Sequence, residues 1–454
     1  MKQNVKDAIA LLAEDELGQE LPEIRIAPPG PKSRAVTQRM HSVECPAFEA
    51  RRDARADQSG ALQFPIVYAR ARGANVWDED GNRYVDLTAG FGALVLGHGH
   101  SDISARLAAQ DYQLGLALGD VYSAAVKVEL MEALARLFPE QGARVLLGLS
   151  GADAVTAALK TAVLATGKSG LVAFEGSYHG LSHGPLAVCG LNPRFREPFR
   201  DHAPSNVTFI PYPSQTLARA VGALESALSK GTVGAVIVEP ILGRGGCVVP
   251  PDGFLAALRS LCDHHHALLV VDEIWTGFGR TGAMMLSAAS IVPDIVCLGK
   301  GLGAGSAISA CIGRGRVMAA WARHGGSTIH TSTHVGSPPS CAAALEVLSQ
   351  MAAQKLDVRA HTVGSQWIHD LRSATIGLGV CEVRGLGLMI GIELNGGSAR
   401  AMHVVRKLLN YGYILLTGGL DGNVLTLTPP LNISEALLRH ATLAIVEALK
   451  DTPA

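Results

Sequence analysis

The central part of the chain, residues 121–313, alternates amphipathic helical stretches with short apolar runs. VKVELMEALARLF (126–138), for example, places apolar residues at the three- and four-residue spacing of an α-helix. The apolar runs lack the alternation of a half-exposed strand, which is typical of strands covered by helices on both faces. They are ARVLLGL, LVAF, VGAVIVE, ALLVVDE, DIVCLG and AISACIG. The pattern predicts an α/β fold with a mostly parallel sheet and chemistry at the carboxyl ends of its strands.

The flanking segments have different patterns. Residues 66–87 alternate apolar and polar positions about the turn Asp80-Gly81-Asn82, which predicts a small antiparallel element. From a helix beginning near Pro338, helices and short strands follow to a final helix ending near Lys450. We therefore divide the chain into an N-terminal arm (1–65), the N-terminal part of a small domain with a linker (66–120), a large domain (121–337) and a C-terminal small α+β domain (338–454).

Composition narrows the class of protein. Among 454 residues 48% are hydrophobic and 17% charged, which favours a large buried core. The formal net charge is −1, so we expect neither nucleic acid nor an anionic membrane as partner. Met1–Glu20 is polar and predicts an amphipathic helix rather than a secretory leader. For the first 30 residues, disorder is an equal alternative to their belonging to the N-terminal arm. The eight cysteines form no disulfide framework or CxxC metal pair, so we expect a cytoplasmic protein without a structural metal.

A first candidate site lies where the strand Leu146–Leu149 enters a helix through Ser150, Gly151 and Ala152. Free amides at a helix start, next to a glycine that permits close approach, form an anion site. A phosphate fits there. An ordinary tight loop, with Asp153 placed in the first helical turn for its charge, explains the same residues equally well.

A second candidate site combines an acid with a lysine. Asp272 ends a buried strand, where a carboxylate is costly unless it has a partner. Lys300 follows the next strand inside the glycine-rich stretch Gly299–Gly305. A desolvated lysine has a depressed pKa suited to Schiff-base chemistry. The alternative for Asp272 is a helix cap or a surface acid.

Nucleotide-binding motifs do not account for this lysine. A phosphate loop of the Gly-Lys type needs an earlier glycine and a following Ser or Thr, but Asp294 and Gly301 occupy those places. The pair Gly385-Leu386-Gly387 lacks the third glycine of a dinucleotide fingerprint, because residue 390 is Ile.

Two further features involve aromatic and imidazole rings. Tyr178 follows the run LVAF and places a face for stacking a flat cofactor ring at another strand end, although packing is the commoner role of a single tyrosine. The run His264–His266 ends a helix, where we expect hydrogen bonds to the last carbonyls or contact with solvent rather than metal binding.

An acid, a lysine, a phosphate loop and a stacking aromatic are together what pyridoxal phosphate (PLP) requires. From about Val67 to the C-terminus the chain resembles the class III, or ω-type, PLP-dependent aminotransferases of fold type I. The motifs are SGADA (150–154), SYHG (177–180), VEPI with GG (238–246), DEIWTGFGRTG (272–282), LGKGLGAG (298–305), THVGSPP (333–339) and VRGLGLMIGIEL (383–394). The resemblance implies a large domain with a mostly parallel seven-stranded sheet covered by helices, a small α+β domain and an N-terminal arm.

The resemblance also implies roles for individual residues. Lys300 would hold the cofactor as a Schiff base and move the proton, while Asp272 would keep the pyridine nitrogen protonated. Gly151 and Ala152 would bind the phosphate with backbone amides, and Tyr178 would stack on the ring. Further cofactor contacts implied by the motifs are His179, Glu239, Trp275 and, from the partner subunit of a homodimer with shared active sites, Thr333.

Departures from the family pattern concern the substrate. Family members that use ornithine-like donors usually pair a Glu before the two glycines with an Arg ahead of the Pro-Pro near the end, where this chain has Arg244 and Thr426. Trp275 stands at a usual Gln and would narrow the pocket. We therefore take Arg244, Phe91 and Trp275 as candidate substrate contacts, with solvent exposure or pairing with Glu273 as the alternative for Arg244.

The implied reaction is transfer of an amino group from an amine or amino acid to a keto acid or aldehyde. Racemases, epimerases and aminomutases share the scaffold and retain the equivalents of Lys300 and Asp272, so they are the competing function. A scaffold kept only for structure predicts loss of one of these two residues, and both are present.

Overall fold

The computed structural model describes residues 18–59, 65–202, 205–324, 326 and 328–452. The helix predicted within Met1–Glu20 lies almost wholly outside the described residues. The helices are α1 (Pro31–His41), α2 (Pro46–Ser59), α3 (Ala89–Gly92), α4 (Ser101–Gln113), α5 (Ala125–Leu137), α6 (Gly151–Thr166), α7 (His183–Ala187), α8 (Ala218–Leu228), α9 (Phe254–His264), α10 (Gly315–Met318), α11 (Pro338–Gln354), α12 (Leu356–Ala374), α13 (Gly397–Asn410) and α14 (Glu435–Lys450). Short 3₁₀ turns lie at Pro193–Phe195, Glu197–Phe199, Ser287–Ala289, Lys300–Gly303 and Ala319–His324.

The strands of the described residues form three sheets. They are β1 (Tyr68–Arg72), β2 (Asn75–Asp78), β3 (Arg83–Asp86), β4 (Arg144–Gly148), β5 (Gly170–Phe174), β6 (Val207–Ile210), β7 (Val233–Val238), β8 (Leu268–Asp272), β9 (Ile295–Leu298), β10 (Ser309–Gly313), β11 (Val380–Leu386), β12 (Met389–Leu394), β13 (Tyr413–Ile414), β14 (Leu416–Gly418) and β15 (Val424–Leu427).

The largest sheet has seven strands in the order β4-β10-β9-β8-β7-β5-β6. Only β10 runs against its neighbours, so the predicted mostly parallel sheet is confirmed. Six of its strands correspond to the six apolar runs, and β6 is the seventh. Apolar side chains of α6 pack on one face, and those of α8 and α9 pack on the other. Strands covered in this way need no alternation of polar residues, which explains their continuous apolar runs.

Two four-stranded sheets accompany it, in the orders β1-β2-β3-β13 and β11-β12-β15-β14. The predicted antiparallel element around Gly81 is present as β1–β3, with an additional turn at Gly73. Strand β13 joins β3 in parallel and thereby ties the C-terminal part to this element. The exact domain boundaries stay a prediction.

The described part of the N-terminal arm consists of α1 and α2. His41 Nδ1, at the end of α1, lies 2.6 Å from Glu49 Oε1 of α2. Arg52 Nη2 of α2 lies 2.5 Å from Oε2 of Glu44, in the segment between the two helices. Helix α2 also packs against α13 of the C-terminal part. Across the described ranges, no helix is both long and apolar enough to cross a membrane.

Candidate active site

Four strands of the large sheet deliver polar side chains to one edge. Asp272 is the last residue of β8. A single residue, Gly299, separates the end of β9 from Lys300. Glu239 follows β7 directly, and Tyr178 lies in the loop after β5. Because β5, β7, β8 and β9 are parallel, their carboxyl ends meet at the same edge.

Asp272 is fixed by two hydrogen bonds. Its Oδ2 lies 2.7 Å from His179 Nδ1, and its Oδ1 accepts a hydrogen bond of 3.0 Å from the Ile274 amide. Both Asp272 and His179 are buried. A buried carboxylate needs such partners, and here they hold it in one orientation.

Glu239 is also buried and accepts two backbone hydrogen bonds. The Tyr178 amide donates to Oε1 at 2.7 Å and the Gly243 amide donates to Oε2 at 3.1 Å. Burial raises the pKa of Glu239, the nearby His179 opposes that rise, and the Asp272 charge adds to it. Glu239 therefore joins the loop after β5 to the loop after β7.

Lys300 lies with its amine 3.7 Å from the ring centroid of Trp275. Burial lowers the pKa of Lys300, Glu239 and Asp272 oppose that fall, and Arg244 adds to it. Its backbone adopts a φ of +34°, which is rare for a non-glycine residue and is typical of functional positions held by their surroundings. The result is an amine that loses its proton more readily than a surface lysine.

The ring of Trp275 fits beside Lys300 because two glycines from other parts of the chain lie against it. A Cβ on Gly243 would lie 2.3 Å from Trp275 Cε3, and a Cβ on Gly92 would lie 2.5 Å from Nε1. The Nε1 atom is buried without a hydrogen-bond partner among the described residues. The ring is therefore tightly packed beside Lys300, and that it narrows the pocket stays a prediction.

The start of α6 lies next to these residues and offers backbone amides of the kind that bind an anion. Ser150 caps the helix by accepting a hydrogen bond from the Asp153 amide, which leaves the amides of Gly151 and Ala152 as the first N–H groups of the helix. A Cβ on Gly151 would lie 2.8 Å from Ile274 Cδ1, so glycine permits this close approach to the loop after Asp272. An amine of lowered pKa, an oriented carboxylate, an aromatic ring and these amides are together a donor set that fits PLP.

A cavity of about 330 Å³ opens above Lys300. The predicted residues that line it are Phe91, Tyr178, Arg244, Trp275 and Lys300. Thr333 is exposed and does not line it. Lining residues that sequence reasoning did not assign to the site are Arg51, Arg55, Thr88, Leu416, Thr417, Gly418, Thr426 and Thr428.

Arg244 occupies a tight turn closed by a bridge between Leu242 and Val248. Its guanidinium lies 4.6 Å from the ring centroid of Tyr178. Within the described ranges no acidic side chain forms an ion pair with it. The alternative of pairing with Glu273 is wrong, because that buried carboxylate accepts hydrogen bonds from Thr276, Leu286 and Ser287 instead.

Residues 56–449 match the family model described as Aminotransferase class-III. Acetylornithine aminotransferase of Methanopyrus kandleri is 38% identical over 389 residues, which are 86% of this chain and 95% of that protein. The enzyme of the same name from Mycolicibacterium smegmatis is 38% identical over 391 residues, with coverage of 86% and 95%.

Comparison with solved structures agrees with the family match. Ornithine aminotransferase of Toxoplasma gondii superimposes with a TM-score of 0.80 at 29% identity, covering 99% of this chain and 97% of that chain. An amine transaminase from an uncultivated Pseudomonas species, in its PLP-bound form, gives a TM-score of 0.80 at 29% identity, covering 86% and 95%. Family match, relatives and fold agree with the site, and the chain belongs to the class III aminotransferases, which transfer amino groups with PLP as cofactor.

Proposed function

We propose that the edge where Asp272, Glu239 and Lys300 meet is the catalytic site of this aminotransferase, with Lys300 as the residue that holds PLP through the cofactor's aldehyde. The observation that carries the proposal is the pairing of strand ends, since Asp272 and Lys300 follow the adjacent parallel strands β8 and β9. When bound, PLP supplies an electron sink that stabilises negative charge on the substrate carbon attached to nitrogen.

Lys300 accepts and returns the proton of that substrate carbon. Burial lowers its pKa, so the neutral amine is available closer to neutral pH than in an exposed lysine. Glu239 and Asp272 limit the fall of the pKa, which keeps the amine able to deliver the proton again. The ring of Trp275 limits the positions that the amine can reach.

Asp272 holds the cofactor's ring nitrogen in its protonated form. It can do so because His179 and the Ile274 amide keep the carboxylate oriented. Tyr178 supplies the aromatic face against the ring, and its amide is held by Glu239. The amides of Gly151 and Ala152 receive the phosphate at the positive end of α6.

Thr333 completes the phosphate site of a second subunit in a homodimer. Its exposure, away from the cavity of its own chain, supports this assignment. Mixing subunits that carry Thr333→Ala with subunits that carry Lys300→Ala tests it, because one site in each mixed dimer then regains both residues. Activity that stays at the level of the unmixed variants would contradict shared sites.

Arg244 binds the carboxylate of the amino acid or keto acid substrate. It lines the cavity beside Tyr178 and, among the described residues, has no acid of its own. A guanidinium binds a carboxylate through two parallel hydrogen bonds, which supplies the missing counter-charge. Thr426, at the place where relatives with ornithine-like donors carry an arginine, also lines the cavity.

Incubation with an amino acid donor alone in deuterated water distinguishes transamination from racemisation on the same scaffold. A transaminase releases about one molecule of keto acid per active site and then stops, because no acceptor is present to return the cofactor to its starting form. A racemase or epimerase goes on exchanging and inverting the α-position without releasing a keto acid. Continued inversion with no keto acid would overturn the proposed reaction.

A further inference from the structure

The turn formed by residues 242–248 carries Arg244 and lies between two hollows. On one side, Arg244 lines the cavity above Lys300. On the other side, Gly245 lines a separate groove of about 710 Å³ together with Arg384 of β11. Arg384 does not line the cavity. Any effect of Arg384 on the cavity must therefore act through the turn.

The backbone of this turn adopts a conformation that needs support from outside. Cys247 has a φ of +53° although it is not a glycine, and Gly246 has a φ of +111°. Within the turn, the amides of Gly246 and Cys247 share one acceptor, the carbonyl oxygen of Gly243, each at 3.1 Å. A left-handed conformation of a residue other than glycine persists only where the surrounding structure fixes it. Contacts from other segments therefore help to fix the turn.

Two hydrogen bonds from the sheet β11-β12-β15-β14 and its loops, the C-terminal sheet, provide this support. Arg384 Nε donates to the carbonyl oxygen of Gly246 at 2.9 Å. The amide of Gly419, which follows β14, donates to the carbonyl oxygen of Arg244 itself at 2.9 Å. A Cβ on Gly391 of β12 would lie 2.9 Å from the same Gly246 oxygen, so β12 packs directly against the turn. The position of Arg244 therefore depends on the C-terminal sheet.

Two acidic side chains hold Arg384 in the orientation that reaches the turn. Its Nη1 donates to Glu393 of β12 and, at 2.7 Å, to Glu382 of β11. The Arg384 side chain is only 12% exposed, and Glu393 is less exposed than Glu382. Because the guanidinium is a rigid fork, binding of Nη1 by Glu393 also fixes the direction of Nε. Arg384 is thus a rigid link from the C-terminal sheet to the turn.

We propose that Arg384 is a positioning residue for Arg244, so that the C-terminal sheet sets how well the cavity selects substrates with a carboxylate. The inference rests on the proposed function, in which Arg244 binds that carboxylate. Arg384 fixes the carbonyl group of Gly246, which lies two positions after Arg244. Loss of Arg384 frees the turn, and the Arg244 guanidinium then meets the carboxylate in fewer of its conformations. Selection suffers because two parallel hydrogen bonds require an exact placement of the fork.

Two reagents of similar size that react with the cofactor's aldehyde test carboxylate selection without knowledge of the natural donor. Aminooxyacetate and O-ethylhydroxylamine differ by a carboxylate in place of a methyl group. Each displaces the lysine from the cofactor of the holoenzyme and changes the absorption of bound PLP. The ratio of their second-order rate constants measures the preference for the carboxylate. General damage to the cofactor site lowers both rates and leaves this ratio unchanged.

Arg384→Met and Arg244→Gln should each lower the ratio, Arg384→Met by about fivefold, as for residues coupled in one network. In a chain that already carries Arg244→Gln, Arg384→Met should change the ratio by less than about twofold, because it acts through Arg244. Glu393→Gln leaves Arg384 in place without this acid and should lower the ratio by a smaller factor. Arg372→Gln is the matched control and should leave the ratio unchanged, because Arg372 Nε donates to the carbonyl oxygen of Val383 on the same strand and not to the turn.

Amide hydrogen exchange of residues 242–248 in the holoenzyme gives a second readout. Arg384→Met should speed exchange in this segment, whereas Arg372→Gln should not. Unchanged exchange in Arg384→Met would overturn the inference. An equal fall of the ratio with and without Arg244 would overturn it too, because Arg384 would then not act through Arg244.

The inference and the proposed function fail in different ways. If Arg244→Gln lowers the ratio and Arg384→Met does not, Arg384 is not a positioning residue and the role of Arg244 stands. If Arg244→Gln leaves the ratio unchanged, the proposed carboxylate site is wrong, and the effect of Arg384 on selection falls with it. Faster exchange in Arg384→Met would then leave Arg384 as an anchor of the turn alone.

Discussion

Asp272 and His179 are joined by a hydrogen bond of 2.7 Å between Oδ2 and Nδ1, and both side chains are buried at the edge of the large sheet. The imidazole leaves its Nε2 without a partner among the described residues. We propose that His179 orients the carboxylate through this hydrogen bond, while Asp272 contacts the cofactor; that His179 also contacts the cofactor stays a prediction.

Replacing Asp272 by Asn should lower kcat about 100-fold or more, because a charge placed to stabilise the reacting system is lost while the shape is kept. His179→Gln should cost about tenfold, as the loss of an outer hydrogen-bond partner does at other active sites. Steady-state kinetics together with the melting temperature check both variants. A variant of Asp272 with near-normal turnover would remove it from the catalytic site.

The positions of Asp272 and Lys300 were predictable from the sequence, since each follows a buried apolar run and the carboxyl ends of parallel strands share an edge. The seventh strand, β6, escaped the pattern because it is short, lies at the sheet edge and is only partly buried. Its sequence, Val207–Ile210, has no long apolar run.

Other parts of the site depend on contacts between distant segments. Gly92 and Gly243 make room for Trp275, but their separation in sequence gives no local signal of that contact. Arg51 and Arg55 lie on α2, and only the packing of that helix places them at the cavity. Local patterns predict elements and their ends, whereas approach between elements is decided by tertiary packing.

Arg244→Gln should lower kcat/KM for a carboxylate-bearing substrate. The corresponding loss of transition-state stabilisation should be about 1.5 to 3 kcal/mol, the value of a hydrogen bond to a charged group. Arg244→Lys should retain part of the binding, because it keeps the charge but loses the fork. Kinetics of the two half-reactions check this, with an uncharged amine as the matched donor. Equal losses for both donors, or none for either, would exclude Arg244 from carboxylate binding.

Gly243→Ala should destabilise the protein by about 1 to 3 kcal/mol, because overpacking forces a shift of the Trp275 ring, which a Cβ would approach to 2.3 Å. Trp275→Leu in the same chain should relieve most of that cost, since the contacting atoms are gone. Denaturant unfolding of the two single variants and the double variant measures the coupling. Additive losses would show that the two residues do not compete for this space.

Lys300→Met should stabilise the cofactor-free protein, and the gain should depend on pH. Burial lowers the pKa of Lys300 below 10.5, so the unfolded chain binds the proton more tightly than the folded one. The resulting loss of folding stability is complete at pH values below the pKa of Lys300 in the folded protein, and it fades as the pH rises towards 10.5. The difference in unfolding free energy between variant and wild type should therefore shrink over that window. A difference independent of pH would contradict a depressed pKa.

We propose Lys300 as the lysine that holds PLP. Borohydride reduction of the holoenzyme, followed by peptide mapping, fixes the cofactor to the lysine that carries it. We predict label on Lys300 alone in the wild type, and no label on any lysine in Lys300→Ala. Label on another lysine of the wild type, or retained label in the variant, would show that Lys300 does not hold the cofactor.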